Sequence, residues 1–147
     1  MFLGNILGME EEIKFIVFKN LSEVEPKVDN LDGLCYYFAN NIKADLEMMK
    51  IPVSMYNINE GDGYDHYYLI AGDNADYLID PTYSQFLPKL NETPILFENF
   101  PASVLEKTEQ GKEILGDLLR NGYHKLSGND FDVYLSGFKL KERKKHK

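Results

Sequence analysis

The chain has a single cysteine, Cys35, within Gly33-Leu34-Cys35-Tyr36-Tyr37-Phe38-Ala39. A thiol becomes a useful nucleophile near neutral pH when its pKa is lowered and an imidazole can share its proton. A third group must then orient that imidazole. Two later stretches supply such groups. His66 lies in Tyr64-Asp65-His66-Tyr67-Tyr68-Leu69-Ile70, and Asp80 in Tyr77-Leu78-Ile79-Asp80-Pro81-Thr82-Tyr83. We read Cys35 as nucleophile, His66 as base and Asp80 as the orienting acid. Acyl transfer also needs N–H donors for the oxyanion. The backbone N–H of Cys35 is one candidate, and the side chain of Asn30, five residues upstream, is a second. Of the other histidines, His124 follows a helix stop and His146 sits among basic residues, so neither is paired with Cys35 here.

These residues need a helix start, a strand and an adjacent strand. From Cys35 to Met49 apolar side chains fall at 35, 38, 39, 42, 46 and 49, which is one face of an α-helix. Asp32 reads as its N-cap, and Ile51-Pro52 ends it. A cysteine in that first turn meets unpaired N–H groups and the positive end of the helix dipole, both of which favour thiolate. Val53–Ile58, Tyr64–Ala71 and Ala75–Asp80 read as strands, with turns at Glu60-Gly61-Asp62-Gly63 and Gly72-Asp73-Asn74. A hairpin centred on Asp73 sets His66 opposite Asp80, on one face of an antiparallel pair.

Around this centre, Ile13–Phe18 reads as a strand from its β-branched and aromatic content, with a short helix as the alternative. Asn20–Asn30 reads as a connection and Ser84–Phe100 as irregular. Pro101 opens a helix that the apolar spacing carries to Asn121, with Gly122 as its stop. Asn129–Phe138 reads as a short helix or a strand-like closing segment.

At 147 residues the chain fits one domain, taken as residues 1–138, followed by a basic, disordered tail over 139–147. That tail holds six Lys/Arg and one Glu, so the rest is more acidic than the net charge of −8. Such an acidic body disfavours general nucleic-acid binding. No stretch is apolar enough to span a membrane, and Met1–Met9 does not read as a signal peptide. One cysteine cannot form an internal disulfide and fits a reducing compartment. No cysteine–histidine spacing suits a metal, the acidic loop Glu60, Asp62, Asp65 is not an EF-hand, and no phosphate-binding glycine loop occurs. We therefore expect no cofactor.

The pattern Gly33-x-Cys35 opening a helix, then His66 before an apolar strand, then Tyr77-x-Ile79-Asp80-Pro81-Thr82, resembles the papain-like and transglutaminase-like superfamily. Asp-Pro-Thr followed by Tyr83 and Gln85-Phe86 is similar to its compact bacterial members, the papain-fold toxin domains and glutamine deamidases. The resemblance covers roughly residues 30 to 86, with a weaker echo at Gly111 and Gly122-Tyr123. It implies an α+β fold, with a nucleophile-bearing helix packed on a small antiparallel sheet and a Cys35–His66–Asp80 catalytic triad. It also implies a thiol hydrolase acting on a protein amide, by deamidation or peptide cleavage. A protein substrate and an immunity protein would be its partners. Its location would be the cytoplasm, or a target cell's cytoplasm after delivery. The neighbourhood of Cys35 lacks the Cys-x-x-Cys-Trp-like setting of the larger proteases. Two alternatives remain: an acyltransferase or transglutaminase using the same residues, and a non-catalytic binding module on this fold.

Overall fold

The computed structural model describes residues 8–23, 35–59, 65–86 and 101–138. Its architecture is α+β. The chain runs α1 (Met9–Ser22), α2 (Cys35–Met48), β1 (Val53–Asn59), β2 (Asp65–Ala71), β3 (Tyr77–Ile79), a 3₁₀ turn (Tyr83–Phe86), α3 (Pro101–Leu105), α4 (Glu109–Asn121), β4 (Tyr123–Lys125) and α5 (Asp130–Ser136). The four strands form one antiparallel sheet in sequence order. Among the described residues, no helix is long and apolar enough to cross a membrane.

Strand alternation divides the interior in two. Leu69, Ala71, Tyr77, Ile79 and Tyr123 face a core completed by Ile13, Ile16 and Val17 of α1 and Phe38, Ala39, Ile42 and Leu46 of α2. Ile58, Tyr68 and Leu78 face the other way, onto Ala102, Leu105, Ile114, Leu115, Leu118 and Tyr134 of α3, α4 and α5. Helix α2 packs on β1 and β2 as its apolar spacing predicts.

Helix α1 replaces the strand expected over Ile13–Phe18. Its buried residues, Ile13, Ile16, Val17 and Asn20, repeat at helical spacing, and Glu10, Glu11 and Glu12 lie in the first turn, where carboxylates meet the positive end of the helix dipole. Phe15 and Phe18 turn outward and are exposed. Asn20 Nδ2 donates to Asp45 Oδ2 of α2 at 3.0 Å, so tertiary packing of one face decides against β propensity.

The helix expected from Pro101 to Asn121 is two helices. Thr108 breaks the run by acting as the N-cap of α4, its side chain accepting from Gly111 N at 2.9 Å. The chain folds back so tightly that a Cβ on Gly111 would lie 2.0 Å from the Leu105 carbonyl oxygen. Gly122 stops α4 as expected, with φ +81°. The chain then forms β4, a strand absent from the sequence reading. The closing segment is helical, as α5. Asp32, Gly33, the turn at Glu60–Gly63, most of Ser84–Phe100 and the basic tail lie outside the described residues.

Gly111→Ala should therefore destabilise the fold by about 2–3 kcal/mol, as an overpacked core does. At Gly116 an added Cβ would meet only the guanidinium end of Arg120, a flexible and exposed side chain. Gly116→Ala should stabilise by about 0.5–1 kcal/mol through helix propensity. Urea unfolding of the two variants measures both, with opposite signs expected.

Candidate active site

Strand β2 carries His66 toward the second core, on the same side as Ile58 and Tyr68. The β2–β3 ladder pairs Leu69 with Ile79, Ile70 with Leu78 and Ala71 with Tyr77. Those pairs centre on Asn74, one residue beyond the Asp73 expected. Asp80 is consequently diagonal to His66 rather than opposite it. Moving a hairpin centre by one residue moves each partner by two, so the side-chain face is kept. A diagonal neighbour is still within reach of a long side chain. His66 Nε2 donates to Asp80 Oδ2 at 2.9 Å, with both residues fully buried.

Asp80 follows the last residue of β3. Its backbone N–H donates to the Gly122 carbonyl at 2.9 Å, which ties the turn at Pro81 to the start of β4. Its side chain has a second donor. The Tyr134 hydroxyl of α5 donates to the same Oδ2 at 2.5 Å. The other oxygen, Oδ1, is buried with no hydrogen-bond partner among the described residues. Phe138, just beyond α5, stacks on the His66 ring at 5.5 Å between centroids and 21° between planes. Tyr83 packs against both Tyr134 and Phe138, at 5.9 and 6.1 Å. The His66–Asp80 pair thus sits inside an aromatic wall, in low local dielectric, where its attraction is strong.

Cys35 is the first described residue of α2 and is 6% exposed. It comes from the helix of the first core and belongs to neither apolar cluster. The His66 side chain and the Tyr67 backbone lie close enough to Cys35 to lower its thiol pKa. With Nε2 committed to Asp80, Nδ1 is the ring nitrogen that can turn to the sulfur. Tyr36 and Tyr37, next in the chain, are about half exposed, and Tyr36 meets Tyr67 edge-on at 5.0 Å.

The electrostatics favour charge on both partners. Burial most strongly opposes a charged Cys35. The hydrogen bonds from His66 and the Tyr67 backbone, with the charge of His66, outweigh that, so the thiol lies below its ordinary value. Burial likewise pulls His66 down. The charge and hydrogen bond of Asp80, then those of Cys35, raise it to about 9. Each shift supports a thiolate–imidazolium pair.

Of the three residues singled out in the sequence, His66 and Asp80 are brought together at the end of the β2–β3 ladder, and Cys35 lies near enough for His66 to lower its thiol pKa. Asn30 lies outside the described residues. Tyr134 and Phe138 were missed. Their one signal was a spacing of four residues at the end of the chain, 130, 134 and 138, which puts side chains on one helix face. Comparison of the chain with protein-family models, with curated proteins and with solved structures found no match.

Two outcomes follow. Tyr134→Phe leaves Asp80 Oδ2 with one donor, and should cost about 1.5–3 kcal/mol in urea unfolding, as for hydrogen bonds to charged groups. The second concerns pH. His66 is raised, so its contribution to stability is present below its unfolded pKa of 6.5 and is lost as pH rises through about 9. Cys35 is lowered, so its contribution is present above its unfolded pKa of 9.0 and is lost as pH falls through its folded value. Above both pH 6.5 and the folded Cys35 value, and below about 9, the folded ion pair and the unfolded thiol plus neutral imidazole hold the same number of protons, so these slopes oppose each other. Cys35→Ser removes one side of that balance. Its stability should fall with rising pH in this window more steeply than the parent's, by up to about 1.4 kcal/mol per pH unit.

Proposed function

We propose that the protein is a cysteine-dependent hydrolase of protein amides, of the papain-like and transglutaminase-like type, with Cys35, His66 and Asp80 as its catalytic triad. The observation that carries this reading is the buried His66–Asp80 hydrogen bond joined to a Cys35 thiol whose pKa is lowered. Such an arrangement supplies a nucleophile, a proton carrier and a group that fixes the ring.

The Cys35 thiolate attacks the amide carbon of the substrate, and the carbonyl oxygen becomes an oxyanion, with the Cys35 backbone N–H as one donor to it. As the tetrahedral centre collapses, the C–N bond breaks and the His66 imidazolium passes its proton to the leaving nitrogen. A thioester on Cys35 and a neutral His66 result. His66 then takes a proton from water as that water attacks the thioester. Collapse releases a carboxylic acid, and the thiolate–imidazolium pair is restored. Asp80 holds the ring orientation throughout and stabilises its positive form. A glutamine side chain leaves ammonia and becomes glutamate, which is deamidation; a backbone amide leaves a new N-terminus, which is proteolysis. We infer a toxin or effector role from the resemblance of the Asp80-Pro81-Thr82-Tyr83 stretch to the compact bacterial members. In that case an immunity protein is the expected partner.

The test is the rate of iodoacetamide alkylation of Cys35 against pH, in the parent and in His66→Ala. The parent should react on a plateau that begins well below the ordinary thiol pKa of about 8.5, and His66→Ala should lose that plateau. Assays of ammonia release and peptide cleavage on protein substrates, with Cys35→Ala as the blank, then separate the two reactions. Alkylation that follows an ordinary thiol in the parent, unchanged by His66→Ala, overturns the reading.

A further inference from the structure

His124 is the second buried histidine of the described residues, 5% exposed, and the chemistry proposed above does not use it. It lies on β4 opposite Leu78 of β3. Its ring is held at both nitrogens by carboxylates. Nδ1 is hydrogen-bonded to Asp117 Oδ2 of α4 at 2.7 Å, and Nε2 to Asp130 Oδ2 of α5 at 2.9 Å. Both ring nitrogens of this buried imidazole are thus tied to carboxylate oxygens, one on each of two helices. Each carboxylate is held again from behind. Arg120 donates to Asp117 Oδ1 at 2.7 Å. The Ser127 backbone N–H donates to Asp130 Oδ2 at 3.0 Å, and Gln110 Nε2 to its Oδ1 at 2.7 Å. Burial works against charge on Asp130. The bonds from Gln110, His124 and Ser127 nevertheless keep it below the usual carboxylate range.

Asp130 is the first residue of α5, and Tyr134 follows one helical turn later on the same face. Phe138 continues that spacing past the helix end. This single stripe contacts His124 at its start, Asp80 in its middle and His66 at its end. A helix of seven residues is too short to hold its own position or even its own fold in water. The hydrogen bonds of His124 to Asp117 and Asp130, with that of Gln110 to Asp130, fasten α5 to α4 and β4.

We propose that His124 is a positioning residue: clamped between Asp117 and Asp130, it fixes α5 on the sheet and thereby sets Tyr134 on Asp80 and Phe138 on His66. The proposal concerns the placement of the His66–Asp80 pair. Its value to catalysis rests on the reading of Cys35 as nucleophile.

The experiment is an NMR titration of the His66 ring in the parent, His124→Gln, Asp117→Asn and the core control Ile16→Val, beside Cys35 alkylation against pH. Gln can serve only one of the two carboxylates, whereas Asp117→Asn keeps the shape and removes one charge. In His124→Gln the His66 midpoint should fall from about 9 by about one unit, a tenfold change in its protonation equilibrium. Asp117→Asn should give a smaller shift of the same sign, and Ile16→Val none. If His124→Gln does not fold, Asp117→Asn decides. An unchanged His66 midpoint in the folded variants overturns the proposal. So does an equal shift in Ile16→Val, which would mark a general loss of stability. An ordinary parent thiol that leaves the His66 shifts intact overturns the hydrolase reading alone and supports the brace.

Discussion

The candidate site depends on one buried contact, the hydrogen bond between His66 and Asp80 at full burial. Two groups that carry charge have left water, which costs several kcal/mol for each ion before any attraction is counted. The contact persists because the site offers more than the pair itself. Asp80 Oδ2 also accepts from Tyr134, and aromatic rings close the surroundings to water. Within that wall the carboxylate outweighs the burial that would otherwise empty His66 of its proton. A protonated His66 is in turn the largest influence that lowers the Cys35 thiol against its own burial. The causal order runs from the aromatic wall to Asp80, from Asp80 to His66, and from His66 to the sulfur.

The sequence showed the candidate site residues more clearly than the groups that hold them. Cys35, His66 and Asp80 are legible because their types are rare or chemically distinct here, and because a hairpin converts sequence distance into spatial distance. Even a misplaced hairpin centre left His66 and Asp80 on one face, since strand faces depend on parity rather than on exact register. Helix α2 was legible from a long apolar spacing, and Gly122 from the positive φ that a helix stop favours. Tyr134 and Phe138 were not. A tyrosine or phenylalanine in a short segment looks like any core residue until its partner is known, and their partner lies more than fifty residues away.

The remaining misreadings share a cause. Phe15-Ile16-Val17-Phe18 has strand-forming side chains, and only the burial of Ile13, Ile16, Val17 and Asn20 against α2 and the sheet selects a helix. The break between α3 and α4 falls in the apolar-free stretch Glu106–Glu113 of the helix expected from Pro101 to Asn121. Thr108 followed by Glu109 is an N-cap signal in mid-run. What makes it an actual break is the close approach of Gly111 to Leu105. In both places local preference leaves two conformations near in energy, and packing chooses between them.

The partition of the interior adds a constraint that neither half carries alone. Cys35 arrives on a helix anchored in the first core, whereas His66 and Asp80 project into the second. The sulfur and the imidazole come near each other beyond Leu69 and Ile79, where the β2–β3 ladder stops. There the Tyr67 backbone lies beside Cys35, and the Asp80 backbone N–H donates to the Gly122 carbonyl. A longer β3 would run on through the positions where Asp80 and the 3₁₀ turn now depart from the sheet. The brevity of that strand is therefore what opens the edge to the end of α2. The geometry of the Cys35–His66 pair then registers the relative placement of both cores.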